Sequence, residues 1–413
     1  MGIQRIAFLS VHTSPLAPMG GKKTGGMNVY IRELAQELGS RGIQVDVFTR
    51  RTSLSEPAID NRLGPNVRVV YLNAGPVTSM SPDDIYEHLS EFTARLMAFA
   101  TRHSLHYDCV YSHYWLSGLV AAKLKEAWGT PFAQMFHTLG HMKERIVSTG
   151  GILPNQRITA EMQIVQQADR IIAATPAEQA QLLWLYRARR KKIDVIPPGV
   201  NTQRFQPLTE PDARAELGFD PDCRLLLFVG RIEPLKGIDL VLSAMAEIRD
   251  VSPELYQRLC FAIVGGDPRD LTDSEMQRLQ NVVETLGIGD HVRFLGARDQ
   301  EALPRYYSAA TAVVMPSDYE SFGMVALEAM ASGTPVIASE VGGLAYLVEH
   351  GETGFLVPTR EPGSLAQRIS ELVSDEERHI QMGSNAIRRA QHYAWPAIAD
   401  QLLATFKALY TRA

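Results

Sequence analysis

The stretch YESFGMVALE carries two carboxylates, Glu320 and Glu328, eight positions apart, with Phe322-Gly323-Met324 between them. A strand-like AVVMP precedes it and a helical pattern follows, so Phe322, Gly323 and Met324 open a helix whose first N–H groups can hold an anion. Glu328 falls about two turns further on, among Val325, Ala326, Leu327, Ala329 and Met330. A bare carboxylate at that edge of a core is expensive. It becomes sensible when it accepts hydrogen bonds from hydroxyls, and a ribose offers two. Glu320, nearer the anion, suits sugar hydroxyls or positive charge developing in a reaction. A second segment, FVGRIEPLKGID, ends a buried strand at Gly230 and supplies Arg231 and Lys236 before the next helix. Arg as a fork and Lys as a point charge can clamp a diphosphate.

The first half of the chain offers complementary groups. The loop HTSPLAPMGGKKTGGMN (12–28) is long for a strand-to-helix connection. Its pairs Gly20-Gly21 and Gly25-Gly26 let backbone approach a ligand, ahead of a helix beginning near Asn28. Its spacing matches neither the dinucleotide fingerprint nor the P-loop. His137 and Thr138 in FHTLGHMKE, and His113 and Tyr114 in SHYWLSG, lie at strand ends. Taken singly, each feature also fits a plain structural role: a glycine turn, a solvated helix glutamate, a hydrogen-bonded histidine.

The elements that position these groups read as alternating strands and helices. Apolar runs at 5–10, 44–49, 67–72, 108–113, 132–137 and 170–175 are followed by others at 224–230, 260–266, 292–296, 312–316 and 335–339. Near-continuous apolar strands imply parallel sheets covered on both faces. NVYIRELAQELGSRG keeps Val29, Leu34 and Leu38 near one face and ends on Gly42. The expected architecture is α/β, two doubly wound Rossmann-like domains facing a cleft, with ligands at the strand C-terminal ends. The joint falls near RARRKKIDVIPPGVNTQRF (187–205), and the C-terminal region reads as two helices broken at Trp395-Pro396. The basic run is read as a solvated helix end.

Composition excludes several classes. With 413 residues the chain is too long for one ordinary core. A net charge of -5 gives no case for nucleic acid. No apolar run is long enough for a membrane span, and the N-terminus lacks a signal-peptide pattern, so stable membrane insertion is not expected. Cys109, Cys223 and Cys260 have no partner at metal-ligand spacing and are read as core residues in a reducing cytoplasm. Localisation is expected to be cytoplasmic. The missing dinucleotide fingerprint disfavours a nicotinamide dehydrogenase.

Together, Gly25-Gly26, His137, GRIEPLKG, ESFGMVALEAMASGTPVIAS and VGGLAYLVEHGETGFLV resemble retaining glycosyltransferases of the GT-B fold, over nearly the whole chain. The resemblance implies a nucleotide-sugar donor and no metal or other cofactor. It places an N-terminal acceptor domain at 1–195, completed by a crossover helix at about 394–413, and a donor domain at 196–393. On the donor side it implies Arg231 and Lys236 at the diphosphate, Glu328 at the ribose and Glu320 beside the transferred sugar. Phe322, Gly323 and Met324 then offer backbone N–H groups, Arg298 passes its backbone to the base, and Gly26 and Asn28 line the donor–acceptor boundary. His137 meets the reacting carbon, so that His137, Glu320, Arg231 and Lys236 form the catalytic set. Gly25, Gly26, Tyr114, Thr138 and Arg157 face the acceptor.

Two branches resemble the chain. GGMNVYIREL, SHYWLSG and ESFGMVALEA resemble enzymes that glycosylate inositol phosphate, which use UDP-N-acetylglucosamine; VDVFTRR and FHTLGHMKE resemble sucrose-phosphate synthases, which join glucose from UDP-glucose to fructose 6-phosphate. Both imply a phosphorylated acceptor, and the sucrose-phosphate synthase reading is preferred narrowly. The chain departs from both in having no lysine between Lys23 and Lys123, and from the latter in Met27. A sugar-nucleotide epimerase or a non-catalytic sugar-nucleotide-binding protein would share the architecture without transfer.

Overall fold

The computed structural model describes residues 2–17, 25–142 and 156–411, so Gly20 and Gly21 lie outside it. The chain divides into two α/β units. The first takes residues up to 17, Gly26–Pro198 and the stretch from Trp395 on; the second contains Gly199–Ala394. The joints are thus Pro198/Gly199 and Ala394/Trp395, against the expected 195/196 and 393/394.

The first unit holds strands β1 (Arg5–Leu9), β2 (Gln44–Arg50), β3 (Ile59–Asp60), β4 (Val67–Leu72), β5 (Cys109–His113), β6 (Phe132–Met135), β7 (Arg170–Ala173) and β8 (Ile193–Val195). Their order is β3-β4-β2-β1-β5-β6-β7-β8, parallel except for β3, which runs antiparallel to β4. Ile6, Ala7, Phe8 and Leu9 of β1 are all fully buried, as a strand covered on both faces requires. The strand order reverses between β1 and β5, where loops after adjacent strands part and leave a place for a ligand.

Helix Gly26–Ser40 starts two residues before Asn28 and buries Val29, Leu34 and Leu38 on the sheet. Gly42 follows at φ +83°, the left-handed turn that ends it. The last helix, Trp395–Tyr410, belongs to this unit: Trp395 packs edge-on to Tyr30 at 5.4 Å and Phe406 to Tyr111 at 5.2 Å. Arg41 Nη1 donates to Asp400 at 2.5 Å. Pro396 sits in the helix's first turn, where its missing N–H costs nothing.

The second unit holds β9 (Arg224–Val229), β10 (Leu259–Val264), β11 (Val292–Phe294), β12 (Ala312–Met315), β13 (Val336–Ser339) and β14 (Gly354–Val357). All are parallel, in the order β11-β10-β9-β12-β13-β14, which reverses between β9 and β12. β3 and β14 were not expected; one is a two-residue edge, the other a short GFLV opened by a glycine.

The cysteine reading needs correction. Cys223 and Cys260, expected as unpartnered core residues, are bonded to each other, with Cα atoms 6.0 Å apart. Parallel pairing sets Leu225 of β9 opposite Cys260 of β10, which brings the start of β9 against it; a separation of 37 residues in sequence gives no hint of this. Cys109 remains a free thiol, its pKa pushed up by burial. Among the described residues no helix is long and apolar enough to cross a membrane.

Candidate functional site

Each sheet gathers predicted residues at its strand C-terminal ends. In the second unit the loops after β9 and β12, the two strands at the order reversal, are held against each other. Asp318 N–H donates to Leu235 O at 2.9 Å. Gly237, at φ +64°, passes so close to Pro316 that a Cβ would sit 2.3 Å from its carbonyl oxygen. This approach brings Lys236 Nζ within 2.6 Å of Glu320 Oε2, with both side chains less than one-fifth exposed. Gly343 closes the other side: its N–H donates to Glu320 O at 3.0 Å, and any Cβ there would strike the Phe322 backbone. The GG of VGGL therefore fixes the turn that aims Glu320.

Gly323, at φ +105°, is the residue before helix Met324–Ala331, and Phe322 is buried against Tyr393, ring centroids 5.9 Å apart. Glu328 lies deeper than its sequence setting suggests, only 4 % exposed. Its oxygens accept from Gln300 Nε2 at 3.0 Å and from Tyr307 Oη at 2.8 Å. The expected hydroxyl donor is thus in part supplied by the protein. Arg231, nearly half exposed, is paired with Glu233 at 2.6 Å. Arg298 donates to Tyr306 Oη at 2.8 Å and to Ala297 O at 3.0 Å.

In the first unit, Arg157, Thr138 and Tyr114, expected as one acceptor group, come together. Arg157 Nη2 donates to Thr138 O at 2.6 Å and Oγ1 at 3.0 Å, and Nη1 to Tyr114 Oη at 3.2 Å. Its guanidinium lies over the Tyr114 ring at 4.8 Å. Glu161, fully buried, anchors it from Nε at 2.7 Å while also accepting from Gly140 N and Tyr186 Oη. His12 packs on the other partner of this set, its ring 4.4 Å from that of Tyr114.

His137 and Tyr114 follow β6 and β5 closely and share an uncommon backbone, φ +60° and +71°. Left-handed non-glycine residues are costly and cluster at functional sites. His137 Nε2 lies 3.1 Å from His113 Nδ1. Burial, followed by the nearby His12, pushes the His137 pKa down to about 3; burial and then His137 hold His113 well below the ordinary histidine range. With both pKa values lowered the two rings are neutral near pH 7, so an N–H of one donates a hydrogen bond to the bare ring nitrogen of the other. Tyr30 packs edge-on to both, with centroids within 5.6 Å.

Gly26 is the first residue of its helix, and beside Gly25 a Cβ would meet open space. Asn28 is buried, its amide donating to Thr13 Oγ1 and Ser14 O, both at 2.7 Å. It stitches the helix start to the loop after β1. Glu161, His12, Gln300 and Tyr307 were not singled out from sequence. Glu161 alone carried a signal, since it stands four residues after Arg157 on one helix face; the others meet their partners only through the topology.

Comparison with known proteins gives the family of the chain. Residues 25–199 match the family model described as glycosyl transferase 4-like domain, and 209–389 match glycosyl transferases group 1. The chain is 42% identical over 399 residues to D-inositol 3-phosphate glycosyltransferase 2 of Catenulispora acidiphila, covering 96% of this chain and 93% of the relative. It is also 42% identical over 416 residues to D-inositol 3-phosphate glycosyltransferase of Kineococcus radiotolerans, covering 98% and 95%. Among solved structures it resembles sucrose-phosphate synthase from Thermosynechococcus elongatus, at 36% identity and a TM-score of 0.91, covering 99% and 100%. The chain belongs to the group 1 glycosyltransferases, enzymes of the GT-B fold.

Proposed function

We propose that the protein moves a hexose, with retention and without a metal, from a uridine-diphosphate sugar to a ring hydroxyl of a phosphorylated polyol or sugar. The observation that carries this reading is the meeting of Lys236 and Glu320 where the second sheet reverses its strand order, beside the start of helix Met324–Ala331. A cation and free helix N–H groups suit a diphosphate, and a carboxylate two residues before them suits a sugar.

In this mechanism the bond between the sugar's anomeric carbon and the β-phosphate oxygen breaks while the acceptor oxygen bonds to that carbon on the same face. The acceptor proton passes to the departing phosphate oxygen. Lys236 and Arg231 stabilise the negative charge building on the diphosphate. Phe322, Gly323 and Met324 supply backbone donors, Glu320 faces the sugar, and Glu328 accepts from ribose in the space Gln300 and Tyr307 leave. Arg298 passes its backbone to the base. Neutral His137 offers a hydrogen bond near the reacting carbon without adding charge. Arg157, with Thr138 and Tyr114, receives the acceptor phosphate, and Gly25, Gly26 and the turn set by Asn28 leave room for the ring.

The names of the curated relatives favour inositol 3-phosphate as acceptor; UDP-N-acetylglucosamine is the donor that the resemblance to that branch implies. Fructose 6-phosphate with UDP-glucose, the pair preferred on sequence motifs, is the second reading, supported by the solved sucrose-phosphate synthase. The test incubates both donors with both acceptors, with and without chelator, and follows UDP release and the anomeric configuration of the product. Transfer to one phosphorylated acceptor, unaffected by chelator, is expected. Arg157→Ala raises the acceptor KM about tenfold or more while leaving the donor KM nearly unchanged. Donor turnover without acceptor-dependent product, or equal use of the unphosphorylated acceptor, overturns the proposal.

A further inference from the structure

One surface of the first unit is unlike the rest of this acidic chain. Helix Pro176–Trp184 ends on a tryptophan that is 81% exposed, although Leu182 two residues earlier is fully buried. The chain then runs through Arg187, Arg189, Arg190 and Lys191, all exposed, before entering β8. No acidic residue occurs between Gln179 and Ile193. The nearest carboxylates are already engaged: Asp169 with Lys125 at 2.6 Å and Asp194 with Arg170 at 3.4 Å. Lys192 spends its ammonium on the carbonyls of Gln166 and Ala168. Burial pulls its pKa below the ordinary lysine value, opposed by Asp169 and helped by the charges of Lys125, Arg189 and Lys191. A hollow of about 370 Å³ lies here, lined by Asp169, Arg170, Lys191 and Lys192.

We propose that this face docks on the headgroups of an anionic lipid bilayer, with the Trp184 ring seated in the interface and Arg187, Arg189, Arg190 and Lys191 on the lipid phosphates. Indole is the side chain best suited to the headgroup level, and juxtaposed Lys and Arg give a bilayer affinity that rises with each charge. The occupant is argued from charge and shape. A single exposed ring followed by a short run of exposed cations is not the row of stacked aromatics that tracks a nucleic-acid strand. A net charge of -5 over the whole chain repels a polyanion that wraps, whereas a flat bilayer meets only the patch. The place in the fold allows it. β7 begins at Arg170 and β8, the edge strand, at Ile193, so the patch lies at the strand N-terminal end of the sheet, away from the end that carries His113, His137 and Tyr114.

The test is co-sedimentation of the full chain with vesicles of phosphatidylcholine alone and with about one-third phosphatidylglycerol. Binding is expected to the anionic vesicles only, and to weaken with added salt. Replacing Arg187, Arg189, Arg190 and Lys191 together by Gln lowers it by about 100-fold or more, and Trp184→Ala lowers it further while removing a blue shift of tryptophan emission. Unchanged circular dichroism and melting temperature show that these exposed positions do not act through folding. Equal partition to neutral and anionic vesicles, or full binding by the quadruple variant, overturns the proposal. So does capture of an oligonucleotide or a polyglutamate by the same cations without vesicle binding.

Discussion

Glu320→Gln is expected to tighten UDP binding while slowing transfer. Lys236 Nζ is held by Glu320 Oε2 at 2.6 Å, and under the proposed function a diphosphate competes with that carboxylate for the ammonium. Glutamine keeps an oxygen that accepts the same hydrogen bond, so the substitution removes the charge and little else. The two side chains are 19% and 17% exposed, between a surface pair and a buried one. The charge term is then about 1–2 kcal/mol, which corresponds to about five- to thirtyfold in UDP affinity. Turnover falls in the opposite direction, by about 10²–10³, if Glu320 meets positive charge on the sugar as it develops. Titration calorimetry with UDP, repeated in a Lys236→Met background, isolates the coupling. There the gain shrinks to about twofold or less, the remainder being plain repulsion between Glu320 and the ligand. An unchanged or weaker affinity in the single variant refutes the reasoning, as does an equal gain in both backgrounds.

Two further outcomes concern stability. Glu178 is buried, and that burial, with the nearby Glu161 and against the Ala174 N–H, pushes its pKa up to about 7 from a usual 4.5. A folded pKa above the unfolded one means stability fully present below about 4.5 and lost as pH rises through 7, by up to about 3 kcal/mol; urea melts at several pH values check this, and Glu178→Gln flattens the slope in that window. Tyr307→Phe takes one donor from the buried Glu328 and costs about 1–3 kcal/mol in the same assay.

The sequence was most legible where periodicity and glycine placement act locally. The buried strands ending at Leu9, His113, Val229 and Met315 were placed within a few residues, because burial on both faces writes an apolar run. Arg157, Thr138 and Tyr114, which the family resemblance puts in one group, touch. What stayed hidden depends on register and crossover. Gln300 and Tyr307 reach Glu328 from 28 and 21 residues away, and Cys223 reaches Cys260 only because β9 and β10 pair in one register. Glu328 looked ready for a ligand hydroxyl because its neighbours in sequence are apolar; its neighbours in space include a tyrosine and a glutamine.

The second unit begins and ends at one spot: Val200 N–H donates to Tyr393 O at 2.8 Å and Val200 bridges Ala394. The polypeptide enters and leaves it through adjacent threads, so Gly199–Ala394 is a cassette interrupting a host that resumes at Trp395. An insert whose two ends lie side by side can be replaced by another of the same end-to-end spacing without moving the host's chain on either side of it. The host, by contrast, is closed only by a helix that lies beyond the insert in sequence, so the first unit cannot complete its packing around Tyr30 and Tyr111 until the whole second unit has been made.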